Sequence, residues 1–386
     1  MKRKSLFLAV ATLLAASYVN AGQLTTEQQI AEKSAQIFHD TNPPAMVMAI
    51  IQNGQVTYHA YGETAKGNHT SPTPDSLLRV GSMSKILASE LLVKLADKGA
   101  LGLTDPLQKY APPGMTVPEV SHGNPVTLLS LATHTSGLPR LIPGQAPAGA
   151  APFTWPDRPA RWRWLNQKPT LTAPWEQAQY SNVGYDLLAD AMEAAGKKPY
   201  LQLMRENVTG PLGMKDTTTQ PDGAQCQRLM EGSGIDPAGP CTDTTAAAGN
   251  GGMYSTARDM ASWMQHLLNI RHSDKPALRA VQQAMYVQRQ QLKSITGLDL
   301  AGKAQGLGMG WVFIRPSVDS PVMIQKTGGG GGFMSYMVLV PGEKTGIFVS
   351  VTKVDLDMFS TLTRETNSLI PLLLKAAHGE RVSPAS

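Results

Sequence analysis

Residues 321–352 read PVMIQKTGGGGGFMSYMVLVPGEKTGIFVSVT. Three apolar runs, Pro321–Lys326, Phe333–Val340 and Thr345–Thr352, are divided by turn residues, the pattern of successive short strands. Gly310–Ile314, just upstream, reads as one more. The other end of the chain has the same texture. Ala45–Ile51 is an apolar strand, Asn53-Gly54 a hairpin turn and Gln55–Tyr61 the return strand. Strands at both ends with helices between them predict an α/β chain of the α+β kind. One antiparallel sheet is assembled from distant segments and flanked by helices, with a helical lobe inserted. The expected sheet lobe covers about 22–80 and 300–386, and the helical lobe about 81–299, in one domain spanning 22–386.

Helical signals support this division. Thr26 with Gln29 reads as a capping box opening the first helix. Met83, Leu87, Leu91 and Leu95 repeat at helical spacing over Ser82–Lys98, and Gly99 suits the C′ position. Further helices are expected over Val183–Ala195 (ending at Gly196), Pro199–Val208, Thr256–Leu268 and Leu356–Ala376. From Pro139 to Pro174 helical periodicity disappears, and Trp155, Trp162, Trp164 and Trp175 lie there or just beyond. This is expected to be a long surface excursion. Either it borders a cleft and stacks on ligand, or its aromatics anchor the loop to the helical lobe.

Composition narrows the class. Of 386 residues, 42% are apolar and 16% charged, with 36 Gly and 28 Pro, so collagen-like and disordered chains are excluded. Lys2, Arg3 and Lys4 supply three of the five net positive charges, which leaves no basic surface calling for nucleic acid. Those residues, the apolar Leu6–Ala16 and the small residues of Val19-Asn20-Ala21 read as a signal peptide over 1–21, hence export to the periplasm. A short uncut anchor is the alternative. No later stretch approaches the length of a membrane span, so none is expected from Gly22 onward. In an oxidising compartment Cys226 and Cys241 read as a disulfide worth about 3 kcal/mol; two unrelated thiols are the alternative. The eight histidines form no ligand pattern, and neither metal nor cofactor is expected.

Three short motifs carry chemistry. In Ser82-Met83-Ser84-Lys85, positions i and i+3 share a helix face, so hydroxyl and amine can touch. A hydroxyl needs an adjacent proton acceptor, and a lysine serves if burial or another cation keeps it neutral. Tyr180-Ser181-Asn182, before a helix, offers a phenol as proton carrier and an amide to hold a carbonyl. Nearby ammonium groups are expected to lower the phenol's pKa. Lys326-Thr327-Gly328 ends an apolar strand and runs into glycine through Gly332, where a ligand can lie on bare backbone and N–H groups can face an oxyanion. No Gly-x-x-x-x-Gly-Lys-Ser/Thr exists for a phosphate loop, and no Gly-x-Ser-x-Gly for an α/β-hydrolase elbow. His134 is read as a structural brace in preference to a base.

In this order and spread over the chain, these motifs resemble those of the active-site serine β-lactamases and penicillin-binding proteins. Tyr-x-Asn is similar to the class C variant. Leu103–Leu107, His134–Pro139, Pro211–Thr217 and Gly251–Thr256 agree with it. Lys109–Gly114, Cys226/Cys241 and Gln325–Phe333 look like the AmpH-type branch of D-alanyl-D-alanine carboxypeptidase/endopeptidases. The resemblance implies the serine β-lactamase/DD-peptidase fold and a penicillin-binding DD-peptidase acting on peptidoglycan. Ser82 would be acylated with Lys85 as its proton acceptor, Tyr180 would relay protons to the leaving amine and Asn182 would hold the substrate amide. Three coupled groups share the protons, and the motifs leave open which of Lys85 and Tyr180 takes the first. Lys326 and Thr327 would take the terminal carboxylate beside Gly328, and the N–H groups of Ser82 and Gly329 would form the oxyanion hole. The implied partners are peptidoglycan peptides and β-lactam antibiotics. The alternatives are a class C-like β-lactamase or serine esterase, and an inert penicillin-sensing or wall-binding protein.

Overall fold

The computed structural model describes residues 25–377 apart from 121–123, 145, 237 and 272–274. The leader expected over 1–21 lies outside them. The strands are β1 Ala45–Gln52, β2 Gln55–Gly62, β3 Leu77–Arg79, β4 Ala178–Gln179, β5 Tyr254–Thr256, β6 Val287–Gln288, β7 Ile295–Thr296, β8 Gly306–Leu307, β9 Val312–Ile314, β10 Met323–Gly330, β11 Phe333–Val340 and β12 Thr345–Val351. The helices are α1 Thr26–Thr41, α2 Ser84–Asp97, α3 Leu128–Ala132, α4 Arg158–Asn166, α5 Asn182–Gly196, α6 Tyr200–Met204, α7 Gly223–Gln227, α8 Ala257–Leu267, α9 Pro276–Gln282 and α10 Leu356–Ala377.

The main sheet runs β2-β1-β12-β11-β10-β9-β8-β6, antiparallel throughout. β11 and β12 at its centre are buried on both faces and mostly apolar. Ser335 and Ser350 interrupt them and bond to each other at 2.9 Å. Along β11, Phe333, Met337 and Leu339 face the helical core, whereas Met334, Tyr336, Val338 and Val340 face the layer of α1 and α10. Along β1, Val47, Ala49 and Ile51 alternate with Met46, Met48 and Ile50 in the same way. The pleat's period of two thus assigns each side chain to one of two cores.

Three expectations needed adjustment. The first capping box is one residue earlier, with Thr25 as N-cap and Gln28 as its partner. Thr25 and Thr26 both have Gln three residues on, so spacing alone could not choose. The Pro139–Pro174 segment contains α4, capped by Asp157 and carrying Pro159 in its first turn. Its short pattern is hidden because Arg161, a charged residue, faces inward. There Arg161 meets Asp190 through Nη2–Oδ1 at 2.7 Å and Nε–Oδ2 at 2.8 Å. Lastly, β10 continues through the glycines to Gly330, paired residue by residue with β11.

α2 runs through the helical lobe with Ser84 to Leu95 all buried, and Glu90 pairs there with Lys94 and His266 at 3.1 and 2.8 Å. Cys226 and Cys241 form the disulfide.

Candidate active site

Ser82 sits in a single 3₁₀ turn, Gly81–Met83, between β3 and α2, in place of the first turn of the α-helix itself. The turn is pinned by Ser84, whose Oγ donates to Gly81 O (2.8 Å) and accepts from Met253 N (3.1 Å). Two glycines let β10 lie directly on it. A Cβ on Gly328 would stand 2.3 Å from Val80 O and 3.2 Å from Ser82 N, and one on Gly81 would stand 2.6 Å from Gly329 N. Only bare backbone fits at that distance. The amides of Ser82 and Gly329 therefore lie in one small region beside the serine hydroxyl.

One helical turn beyond Ser82, Lys85 is fully buried, its Nζ 3.2 Å from Ser82 Oγ, 2.8 Å from Asn182 Oδ1 and 2.6 Å from Asn250 O. The Tyr180 hydroxyl donates to Ser82 Oγ at 2.5 Å. Tyr180 follows β4 and is held by its N–H to Thr296 O (3.0 Å), while Ser181 caps α5 by accepting from Gly184 N. His134 braces this turn. Its Nδ1 accepts from Ser181 N (3.0 Å), and its ring lies 4.6 Å from that of Tyr180. With Nδ1 so occupied and its pKa held well below 6.5 by burial and the cations Lys326, Lys85 and Arg140, it is a neutral support. Lys326, 2% exposed on β10, places Nζ 4.9 Å from the Tyr180 ring centroid; Lys85 Nζ is 4.7 Å from it. Ser82, Lys85, Tyr180, Asn182 and Lys326 thus converge, and Thr327, Gly328 and Gly329 continue along the strand beside them.

Electrostatics orders the protons. Burial, then the charge of Lys326, pushes Lys85 well below the usual lysine range, with Asp186 opposing. Burial, then Arg140, brings Lys326 down to about 7. The expected lowering of Tyr180 is overturned: burial outweighs the Ser82 hydrogen bond and Arg140, and the phenol is pushed up to about 12. A cation over a ring face stabilises the phenolate less than lost hydration destabilises it. A neutral Lys85 can donate to Asn182 and Asn250 and keep its lone pair for the Ser82 hydroxyl, which accepts from Tyr180. The chain of donors then runs from phenol to hydroxyl to amine.

Three contributors escaped sequence reading. Asn250 follows a run of alanines and acts through its carbonyl, which no side-chain pattern reveals. Asp186, inside α5, accepts from Asn250 Nδ2 (2.7 Å) and N (3.2 Å); burial raises it to about 6, with Arg161 opposing. Arg140 places its guanidinium 4.9 Å from the Tyr180 centroid. Three of the four tryptophans serve as anchors. Trp162 is buried and donates to Asp190 (2.8 Å), and Trp155 and Trp164 pack against the helical core. It is Phe153 that reaches the glycines, 2.5 Å from where a Cβ of Gly330 would be.

A beta-lactamase family model matches residues 26–367. The chain is 44% identical over 391 residues, covering 100% of both proteins, to the D-alanyl-D-alanine-carboxypeptidase/endopeptidase AmpH of Escherichia coli (strain K12). A crystal structure of a beta-lactamase/D-alanine carboxypeptidase from Yersinia pestis, complexed with citrate, has a TM-score of 0.85 and 45% identity, covering 91% of this chain and 100% of that one. A class C beta lactamase from Rhodobacter sphaeroides, at 22% identity and TM-score 0.69, covers 88% and 99% and shares the fold. The architecture is the serine β-lactamase/DD-peptidase fold, and the chain belongs to the beta-lactamase family.

Proposed function

We propose that this protein is a penicillin-binding serine DD-peptidase, a D-alanyl-D-alanine carboxypeptidase and endopeptidase of peptidoglycan, working through an acyl-enzyme on Ser82. The observation that carries the reading is Ser82 Oγ lying between the Tyr180 hydroxyl at 2.5 Å and Lys85 Nζ at 3.2 Å. Full-length similarity to AmpH supplies the substrate class. The Ser82 oxygen attacks the carbonyl carbon of the D-Ala-D-Ala amide as Lys85 takes its proton. The oxyanion accepts from the Ser82 and Gly329 amides, and Asn182 holds the substrate amide. The C–N bond breaks as a proton reaches the leaving amine by way of Tyr180. A water then attacks the Ser82 ester by the reverse relay, releasing the shortened peptide and restoring the serine. The same array accepts a β-lactam, whose amide and carboxylate are similarly disposed. Periplasmic placement is part of the proposal. It is supported by the disulfide, and no helix among the described residues is long and apolar enough to cross a membrane.

A labelled penicillin, chased over time and followed by mass spectrometry, tests this. A long-lived adduct on Ser82 is expected, together with release of D-alanine from a pentapeptide and cleavage of a crosslinked dimer. Ser82→Ala should abolish all three without loss of fold. Rapid loss of the adduct with no peptide cleavage would favour a β-lactamase, and absence of any adduct would favour a binding module.

A further inference from the structure

Arg140 stands at the mouth of the site, exposed where Lys326 is buried, and the two cations lie at the same 4.9 Å from the Tyr180 ring centroid. Its loop is tied to the site because Asn182 N donates to Arg140 O at 2.9 Å. On its other flank a Cβ added to Gly297 would stand 3.8 Å from Arg140 Nη1 and 3.0 Å from Tyr180 Cβ, so that backbone walls the guanidinium in beside the phenol. Arg140 is close enough to help depress Lys326, and among the described residues no carboxylate is ion-paired with either cation. The charge of Arg140 disfavours a charge on Lys326, and an anion bound against both relieves that opposition. The guanidinium fork matches a carboxylate in a way that an ammonium point charge does not.

We propose that Arg140 is a substrate-binding residue that, together with Lys326, clamps the carboxylate beside the bond Ser82 attacks. It selects ligands bearing a free carboxylate over the same molecules as esters or amides. The proposal rests on the acyl-enzyme reading of Ser82 and adds the residue that sets this selectivity. Sequence patterning missed it because it belongs to no motif and opens a segment with the look of a surface loop.

Acylation of Ser82 by benzylpenicillin and by benzylpenicillin methyl ester, followed by intact-mass spectrometry in the wild type, Arg140→Ala and Arg140→Lys, tests the assignment. The wild type should prefer the free acid. In Arg140→Ala that preference should fall by about tenfold or more, the scale of a charged hydrogen bond, with Arg140→Lys between. An unchanged acid-to-ester ratio in Arg140→Ala overturns the proposal, even if both rates fall together, since a residue that only supports Tyr180 would act on both. A wild type acylated by neither compound removes the serine reading and this assignment with it. A wild type that shows the selectivity but leaves a D-Ala-D-Ala pentapeptide intact removes the peptidase reading and leaves Arg140 supported.

Discussion

At the scale of single residues, the site works by withholding water from cations. Lys85 and Lys326 are both sealed in, and each is pushed toward its neutral form first by burial and then by another positive group. The roles proposed for them need opposite states: Lys85 neutral to take a proton, and Lys326 charged to hold a carboxylate. With Lys326 at about 7, its ammonium is lost from the free enzyme as pH rises through that value. Capture of a carboxylate ligand should therefore fall on the alkaline side. Since kcat/KM reports the free enzyme, its profile on a D-Ala-D-Ala peptide should show an alkaline limb beginning near pH 7. A profile flat from pH 6 to 9 would contradict that assignment. The candidate residues of the three motifs were legible because each is a chemically distinctive side chain at short spacing. Their protonation states were not. The phenol was expected to be more acidic, and only its full burial shows that desolvation wins.

At the scale of elements, one contact matters most, the seating of β10 on the turn that carries Ser82. Helix periodicity announces α2, and the alternation of the C-terminal runs announces the strands. The fit between them depends on hydrogen atoms at Gly81 and Gly328. A methyl at position 328 would meet Val80 O at 2.3 Å and crowd Ser82 N, forcing strand and turn apart by most of an ångström. Displacements of that size cost about a hundredfold in rate where reacting groups must be aligned. Gly328→Ala should lower the second-order rate constant for penicillin acylation by roughly that factor, while circular dichroism shows the fold intact. A wild-type rate would mean that the strand need not touch the turn. The glycine run was legible as a place for ligand to lie on backbone. That two of its members face the serine turn, while Gly330 meets Phe153, needed the register of β10 against β11.

Across the whole molecule, the site is a seam between the sheet and the helical lobe, closed from outside by long-range ties. The loop bounded by Cys226 and Cys241 crosses the end of β10. Gly239 and Pro240 carbonyls accept from Arg79 Nη2 at 3.2 and 2.8 Å, and Asp236 accepts from Gly331 N at 2.9 Å. Closing a sequence separation of 15 residues should stabilise by about 3 kcal/mol in the chain-entropy picture. Replacing both cysteines by serine should lower the urea midpoint by a matching amount, and added reductant should then have no further effect. A double variant as stable as the wild type would show that the loop is held by its hydrogen bonds alone. The tryptophan-rich segment belongs to this scale too. Its aromatics look like a ligand platform in one dimension, but Trp162 and Arg161 converge on buried Asp190, 28 and 29 residues away, and stitch the excursion onto α5.

By itself the sequence determined the class of fold and the chemistry of the candidate reacting groups, because each follows from local period or residue type. It offered a disulfide beside two separate thiols, and the structure joins Cys226 to Cys241. Tertiary structure decided which states those groups hold and who else joins them. Burial, strand register and the approach of Asn250 O, Asp186 and Arg140 are sums over distant segments, and no window of neighbouring residues contains them.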